Sequence, residues 1–320
     1  MAQKAANVAM LASAIRRELH KAIVGMDEAI DALTIALLTN GHILIEGVPG
    51  LAKTYLAKAF AKTLGLEFKR IQFTSDILPS DILGSMVYNR KTGEFEFRPG
   101  PIFANIVLVD EINRAPPRSQ SALLEAMQER QVTIEGNSYQ LPEPFIVVAT
   151  QNPIELEGTF PLPEAEMDRF MMRINLTFLD ETAEIEILKK KNILRDEIPV
   201  EAISDKESIK NAVEEVHSIY VHKDIMKYIV SIVRATRSNH KVLLGASPRA
   251  EIALLQAAKA YAAMSGRRYV IPDHVKHVAH MVLNHRIILK PEYQGLSRTP
   301  DYSTITEIIR ESLESVEVPR

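Results

Sequence analysis

A lysine and a threonine follow a glycine-bearing loop near the start of the chain, in residues 47–54 (GVPGLAKT). An apolar run, residues 42–45, precedes this loop, and a helical pattern begins at Tyr55. Strand, glycine-bearing loop, Lys-Thr and helix, in this order, are typical of a phosphate-binding loop. Backbone N–H groups in such a loop and at the helix start point towards an anion, and the helix dipole adds positive potential. The segment therefore predicts a phosphate site.

Lys53 and Thr54 carry the chemistry of this loop. A lysine at this place reaches the β- and γ-phosphates of a nucleotide, and the threonine hydroxyl ligates Mg²⁺. The usual pattern has glycine where this chain has Ala52. We expect Ala52 to lie at the helix start with right-handed backbone angles, which alanine adopts without strain. The alternative is an ordinary Gly/Pro loop before a helix that begins with Lys-Thr.

Two acids end another apolar run: Asp110 and Glu111 follow residues 106–109 (IVLV). Ligands of open α/β sheets bind beyond the carboxyl ends of the strands. Asp110 would bind Mg²⁺, directly or through water, and Glu111 would polarise the attacking water. Strands also end in solvated acids, but the upstream loop favours the catalytic interpretation.

Two further side chains are candidates for contact with the γ-phosphate. Asn152 follows the apolar run 145–149, and its amide could orient the same water or touch the phosphate; the alternative is a plain Asn-Pro turn. Arg249 lies in the first turn of the helix that Ser247 and Pro248 begin, where a cation opposes the helix dipole. We therefore expect an anion near Arg249 and suggest the γ-phosphate, with a surface arginine as the alternative.

Two arginines are candidates for transition-state stabilisation across a subunit interface. Arg169 lies in Asp168-Arg169-Phe170, and Arg114 follows the two acids. Arginine is the residue that stabilises a transferring phosphate when a neighbouring subunit supplies it. The residues alone favour a surface Asp–Arg pair for Arg169. The nine histidines are dispersed, and we interpret them as solvated or packed and not as metal ligands.

The elements that must position these residues form two halves. Amphipathic helices are expected at about residues 8–19 and 27–38, with a break at Val24-Gly25. Runs that are apolar on both faces predict a buried parallel sheet with helices between the strands. They are residues 43–45, 68–73, 106–109, 145–149 and 171–174.

Two hairpins interrupt this α/β half. The first spans residues 86–97 with its turn at Gly93, and the second spans residues 131–141 around a Gly136-Asn137 turn. After about residue 180 the apolar residues fall at helical spacing, and residues 242–244 are the only strand candidate there. The second half therefore predicts a helical domain.

Composition limits the function classes. The 320 residues are 46% hydrophobic and 25% charged, with a formal net charge of −3, which gives no global electrostatic case for nucleic acid. Cysteine is absent, so disulfides and thiolate metal sites are excluded. Arg16 and Arg17 follow the first apolar stretch, the wrong order for a signal peptide, and no run has the length of a membrane span. We expect a cytoplasmic protein.

Five motifs together resemble the MoxR family of AAA+ ATPases, in the clade with a helix-2 insert. They are residues 46–54 (EGVPGLAKT), 109–117 (VDEINRAPP), 120–129 (QSALLEAMQE), 149–153 (ATQNP) and 246–249 (ASPR). The resemblance runs from about Val24 to His285, and Ala52 is itself usual in such members. It implies an α/β fold: an AAA+ αβα core with a parallel sheet at residues 1–179, then an all-helical lid at residues 180–320.

The resemblance also implies roles for single residues. Val24 and Gly25 would lie against the adenine of ATP, and Asp110 and Glu111 would be the Walker B acids. Asn152 would be sensor 1, Arg249 sensor 2, and Arg169 the arginine finger acting on the next subunit's ATP. The Walker A residues would be Gly47, Val48, Pro49, Gly50, Leu51, Ala52, Lys53 and Thr54, with Thr54 and Asp110 binding Mg²⁺.

The assembly implied by the resemblance is a homo-oligomeric ring, usually a hexamer, whose pore the two hairpins line or face. Family members act as chaperone-like remodelers, for example in metal-cofactor insertion, often with a partner that carries a von Willebrand factor A domain. Two other functions stay open: an ATP-binding assembly scaffold with little turnover, and a DNA-translocating motor of the same superfamily. The net charge, the absence of tryptophan and the lack of an appended DNA-binding domain disfavour the motor.

Overall fold

The computed structural model describes residues 5–153, 158–195, 197–294 and 302–319. The first half alternates helices with strands and carries two hairpins. Its elements are α1 (Ala5–Leu19), α2 (Asp27–Thr39), β1 (Ile43–Glu46), α3 (Lys53–Thr63), β2 (Phe68–Gln72), α4 (Pro79–Leu83), β3 (Gly84–Asn89), β4 (Glu94–Pro99), β5 (Ile106–Asp110), α5 (Pro117–Glu129), β6 (Gln131–Ile134), β7 (Asn137–Gln140), β8 (Ile146–Gln151), α6 (Glu164–Met167) and β9 (Met172–Asn175).

The second half is helical apart from one short antiparallel ribbon. Its elements are α7 (Glu181–Leu194), α8 (Lys206–His217), α9 (Lys223–Ser238), β10 (Val242–Leu244), α10 (Pro248–Met264), α11 (Pro272–Leu283), β11 (Ile288–Leu289) and α12 (Tyr302–Ser315). Strand β11 pairs with β10 and was not expected, because two residues carry no periodicity to read. The helix starts predicted at Pro248 and Pro272 are confirmed.

Five parallel strands form the central sheet in the order β2-β5-β8-β1-β9. Side chains alternate between its two faces, as the period of a strand requires. In β5, Leu108 packs in the core on the side of α1, α2 and α3, whereas Val107 and Val109 pack on the side of α5. The predicted αβα core with a parallel sheet is therefore confirmed.

One strand departs from the expected pattern of burial. Strand β2 forms an edge of the sheet, and of its five residues only Ile71 is buried. The interpretation of this run as apolar on both faces was therefore wrong. The edge position leaves Lys69, Arg70 and Gln72 exposed, and two of these side chains reach the acids of the neighbouring strand β5.

Both predicted hairpins form, as β3–β4 and β6–β7. The turn of the second is shifted by one residue: Ile134 pairs with Asn137, so the two turn residues are Glu135 and Gly136, not Gly136 and Asn137. Both have positive φ, 48° and 82°, which a two-residue turn matching the strand twist requires. The hairpins touch each other, since the rings of Phe97 and Tyr139 stack 4.0 Å apart.

The N-terminal helices join the two halves. Both α1 and α2 pack against α8 and α10 of the helical half, and one buried core runs through all four helices. No gap in this core marks the predicted division between residues 179 and 180, which stays a prediction, and residues 1 and 320 lie outside the described residues. Within the described ranges, no helix is both long and apolar enough to cross a bilayer.

Candidate functional site

The predicted phosphate loop connects the buried strand β1 to helix α3, which begins at Lys53. Two of its residues have positive φ, Gly50 at 91° and Ala52 at 53°. The expectation of right-handed angles at Ala52 was wrong: this residue lies just before the helix, in the left-handed region, which costs an L-residue about 1 kcal/mol. Glycine at this place in the usual pattern would carry no such strain.

Lys53 and Thr54 point in different directions from the start of α3. The Lys53 ammonium donates to the carbonyl oxygen of Gly47 at 2.5 Å, across the mouth of the loop. Burial lowers the pKa of Lys53, and the negative charges of Asp110 and Glu111 oppose this shift. The Thr54 hydroxyl donates to Oδ2 of Asp110 at 3.2 Å. The loop and the end of β5 therefore form one site.

The two acids at the end of β5 are held by residues from both neighbouring strands. Arg70 on β2 donates from Nε to Oδ2 of Asp110 at 2.6 Å, and Thr150 on β8 donates to Oδ1 at 3.1 Å. The Thr150 hydroxyl also accepts the backbone N–H of Glu111 at 3.0 Å. The sequence analysis did not identify Arg70 or Thr150. They come beside Asp110 only because β2, β5 and β8 pair with one another.

Glu111 is held in a strained and engaged conformation. Its φ is 58°, and non-glycine residues in this region cluster at functional sites. Its Oε2 accepts a hydrogen bond from Gln72 Nε2 at 2.7 Å and lies 3.2 Å from Arg114 Nε. Both contacts are to Oε2, so a water molecule at that oxygen would have to displace them.

The donor set between α3 and β5 fits Mg²⁺. The hydroxyl of Thr54 and the carboxylate of Asp110 are hard oxygen ligands, and Mg²⁺ is held by few such ligands together with substrate phosphates. The Arg70 guanidinium on Asp110 shows that this place accepts a positive group. Among the described residues, no cluster of three or more His, Asp or Glu side chains forms a separate metal site.

A cavity of about 250 Å³ opens beside the loop, between the α1–α2 connection and α7. Val24 lines it together with Ile23, Tyr55 and Ile187, and these apolar surfaces suit a flat base. Gly25 lies next to this wall with a φ of 65°, and a Cβ there would stand 3.1 Å from Leu179. The cations at the cavity are Lys190, Lys191 and Arg195, which come from α7 and its end.

Comparisons with known proteins agree with this geometry. Residues 42–172 match the model of the ATPase family associated with various cellular activities (AAA), and residues 234–308 match that of the AAA lid domain. Chaperone MoxR1 of Mycobacterium tuberculosis is 40% identical, over 95% of this chain and 81% of its own. The chain belongs to the MoxR family of AAA+ ATPases.

Two further relatives extend the likeness over nearly the whole length. Protein YeaC of Bacillus subtilis is 45% identical over 94% of this chain and 92% of its own. A crystal structure of a Cytophaga hutchinsonii protein superposes with a TM-score of 0.90 at 42% identity, covering 99% of this chain and 98% of that one. The likeness to these relatives therefore covers both the α/β core and the helical lid of this chain.

The two sensor candidates of this MoxR chain come from different halves of the molecule. Asn152 is buried directly after β8. Arg249 begins α10, and its Nη1 lies 3.8 Å from Oδ2 of Asp168. The anion expected near Arg249 is therefore a carboxylate of the chain itself, and contact with a γ-phosphate stays a prediction for both residues.

The two candidates for the trans-acting arginine differ in the contacts that their side chains make. Arg114 pairs with Glu111 of its own chain. Arg169 is partly exposed after α6, and none of the described residues accepts a hydrogen bond from its side chain. This difference favours Arg169 for contact with a second MoxR subunit.

Proposed function

We propose that this MoxR-family protein binds ATP with Mg²⁺ and hydrolyses it in a ring-shaped homo-oligomer. In this assembly it acts as a chaperone-like remodeler or activator of partner proteins. One observation carries the proposal: the Thr54 hydroxyl lies 3.2 Å from the Asp110 carboxylate, with Glu111 as the next residue. This contact supports a phosphate loop, a cation site and a base at the same edge of one sheet.

The residues divide the reaction between them. The backbone of residues 47–54 and the Lys53 ammonium bind the phosphates, and Val24 and Gly25 contact the adenine. Glu111, once released from Gln72 and Arg114, takes the position that orients and polarises the attacking water, with Asn152 beside it. Mg²⁺, held through Thr54 and Asp110, supplies neutralisation of phosphate charge when it is bound.

The oligomer is supported by Arg169 and by the exposed apolar side chains of hairpin β3–β4. Arg169 would complete the site of a neighbouring subunit, and Arg249 would join the lid to the phosphates. Hairpin β3–β4 exposes Val87, Tyr88 and Phe95, the last at 66%, and such exposed apolar surface suits contact with another protein. The family supports a partner with a von Willebrand factor A domain and a hexameric ring.

A second candidate, an ATP-binding scaffold with little turnover, is favoured by one observation. Glu111 Oε2 is engaged by both Gln72 and Arg114, and these contacts compete with a water molecule for that oxygen. Both candidates require ATP binding, so turnover separates them.

The test is the ATPase rate with Mg²⁺ at increasing protein concentration, followed by mixing of variants. Activity per subunit should rise with concentration. Glu111→Gln and Arg169→Ala should each be inactive alone and regain activity when mixed, because one supplies the arginine and the other the base. Arg114→Ala is the matched control: it keeps both Glu111 and Arg169, so it should be active alone and should gain nothing when it is mixed with Glu111→Gln. ATP binding without turnover at any concentration would support the scaffold, and failure to bind ATP would overturn both.

A further inference from the structure

A buried polar cluster lies behind the phosphate loop, at the end of β1. Glu46 is the last residue of this strand, directly before Gly47, and only 4% of it is exposed. Arg173 on the neighbouring strand β9 is 1% exposed, and its Nη1 lies 3.7 Å from Oε1 of Glu46. Two opposite charges are thus enclosed next to the loop that would bind phosphates.

The C-terminal helix supplies the remaining donor to this cluster. The Tyr302 hydroxyl, in the first turn of α12, donates to Oε2 of Glu46. The Arg173 guanidinium lies over the Tyr302 ring, 4.7 Å from its centroid. Burial raises the pKa of the Tyr302 hydroxyl, so the phenol stays protonated and remains a donor. Each carboxylate oxygen of Glu46 therefore has a partner of its own.

The cluster also reaches the helical half through Asn284, at the end of α11. Arg173 donates to the side-chain oxygen of Asn284 at 3.1 Å and to its carbonyl oxygen at 2.5 Å. The Asn284 amide returns a hydrogen bond to the carbonyl oxygen of Arg173 at 3.0 Å. The end of β1 is therefore joined to β9, α11 and α12 by one set of contacts.

Helix α12 is firmly seated where it presents Tyr302. Its buried residues Ile305, Ile308 and Ile309 enter the large core that α9 and α11 share. Polar contacts along the helix are Lys241 with Glu307 at 2.7 Å, Asn239 with Glu311 at 2.9 Å and His280 with Thr306 at 3.0 Å. Tyr302 is thus placed by helix packing.

We propose that Tyr302 is a positioning residue of the nucleotide site, acting through Glu46 on the phosphate loop. The inference rests on the proposed function, since it concerns the binding of ATP to that loop. Glu46 is bonded to Gly47, whose carbonyl oxygen accepts a hydrogen bond from the Lys53 ammonium at 2.5 Å. Without the phenol, the Glu46 carboxylate loses a donor in a buried place, and the end of β1 shifts together with the Gly47 carbonyl that holds the Lys53 ammonium.

The test measures nucleotide affinity and kinetics in the full-length chain. Tyr302→Phe should weaken binding of a fluorescent, non-hydrolysable ATP analogue with Mg²⁺ by about tenfold, the lower end of what one lost hydrogen bond to a charged group is worth. It should raise KM for ATP by a similar factor and leave kcat nearly unchanged. Tyr228→Phe is the matched control, because the buried Tyr228 hydroxyl has no hydrogen-bond partner in the described structure.

A second variant separates positioning from general stability. If Tyr302 acts through Glu46, Tyr302→Phe should add no further loss of affinity to Glu46→Gln, because coupled residues are not additive. Full additivity, an unchanged affinity in Tyr302→Phe, or a loss confined to kcat would each overturn the inference while wild-type binding stands. A wild-type chain that binds no nucleotide would overturn the proposed function and this inference with it.

Discussion

Asp110 and Glu111 end strand β5, and Glu46 ends strand β1, at the same edge of one sheet. All three carboxylates have hydrogen-bond donors, but the donors differ in exposure. The Arg70 side chain that reaches Asp110 is 51% exposed, whereas the Arg173 side chain that reaches Glu46 is 2% exposed. Asp110 and Glu111 thus each have an arginine partner that solvent reaches, whereas the arginine partner of Glu46 is enclosed.

This contrast separates two jobs at one edge. Arg70 is half-exposed and Asp110 keeps the Thr54 and Thr150 hydroxyls, so Asp110 can exchange Arg70 for a metal ion at a smaller cost than an enclosed pair would allow. A buried ion pair is strongly destabilised when one partner is removed, because the other charge stays enclosed without compensation. The β5 acids are therefore suited to a changing site, and Glu46 to a fixed support beneath it.

The largest predicted effect, and the strongest test of this contrast, is a change in the free energy of unfolding. Arg173→Met should lower the free energy of unfolding by about 3–5 kcal/mol, because it leaves Glu46 charged and buried. Arg70→Met, the matched variant on the half-exposed pair, should lower it by only about 1 kcal/mol, because the Thr54 and Thr150 hydroxyls still donate to Asp110. Urea unfolding of the nucleotide-free protein measures both. Similar losses in the two variants would show that the supports are equivalent.

Glu111→Gln should have the next largest effect, on turnover. The amide cannot accept a proton, so the rate should fall by about 100-fold or more, as for loss of a general base. ATP binding should persist, since the loop and Lys53 are untouched. Single-turnover hydrolysis and analogue titration measure the two quantities. Near wild-type turnover would remove Glu111 from the mechanism.

Arg70→Gln should sharpen the assignment of Asp110 as an exchangeable ligand. The guanidinium lies 2.6 Å from Oδ2 of Asp110 and competes with a cation for that oxygen. Without it, the Mg²⁺ concentration for half-maximal ATPase activity should fall by about threefold, in line with the small free energy of an exposed pair. Lys69→Gln, on the same strand, is the control. A rise in the Mg²⁺ requirement would instead mean that Arg70 supports binding.

The smallest predicted effect is on stability, from a change in the loop between β1 and α3. Because Ala52 has a φ of 53°, Ala52→Gly should relieve left-handed strain and raise stability by about 0.5 kcal/mol, after the entropy cost of glycine is subtracted. If Ala52 had right-handed angles, the same change would destabilise the protein by about 0.5–1 kcal/mol. Thermal unfolding without nucleotide gives the sign.

Local patterns were sufficient for the residues that carry chemistry. The loop at residues 47–54 and the acids Asp110 and Glu111 could be found because each follows an apolar run. The five strands and the helices that begin at Pro248 and Pro272 followed from periodicity and proline placement. The sequence pattern failed at β2, where an edge position exposes most side chains, and at the β6–β7 turn, where one residue of register moved the turn.

What the sequence by itself determined is the order of elements and the choice of residues 47–54 as the candidate phosphate loop, because these depend on residues close together in the chain. Only the tertiary structure placed Arg70, Gln72 and Thr150 on the acids, since strand order brings β2 and β8 to either side of β5. It alone joined Tyr302 to Glu46, 256 residues apart. Such pairings arise from packing of whole helices and strands, and no local spacing records them.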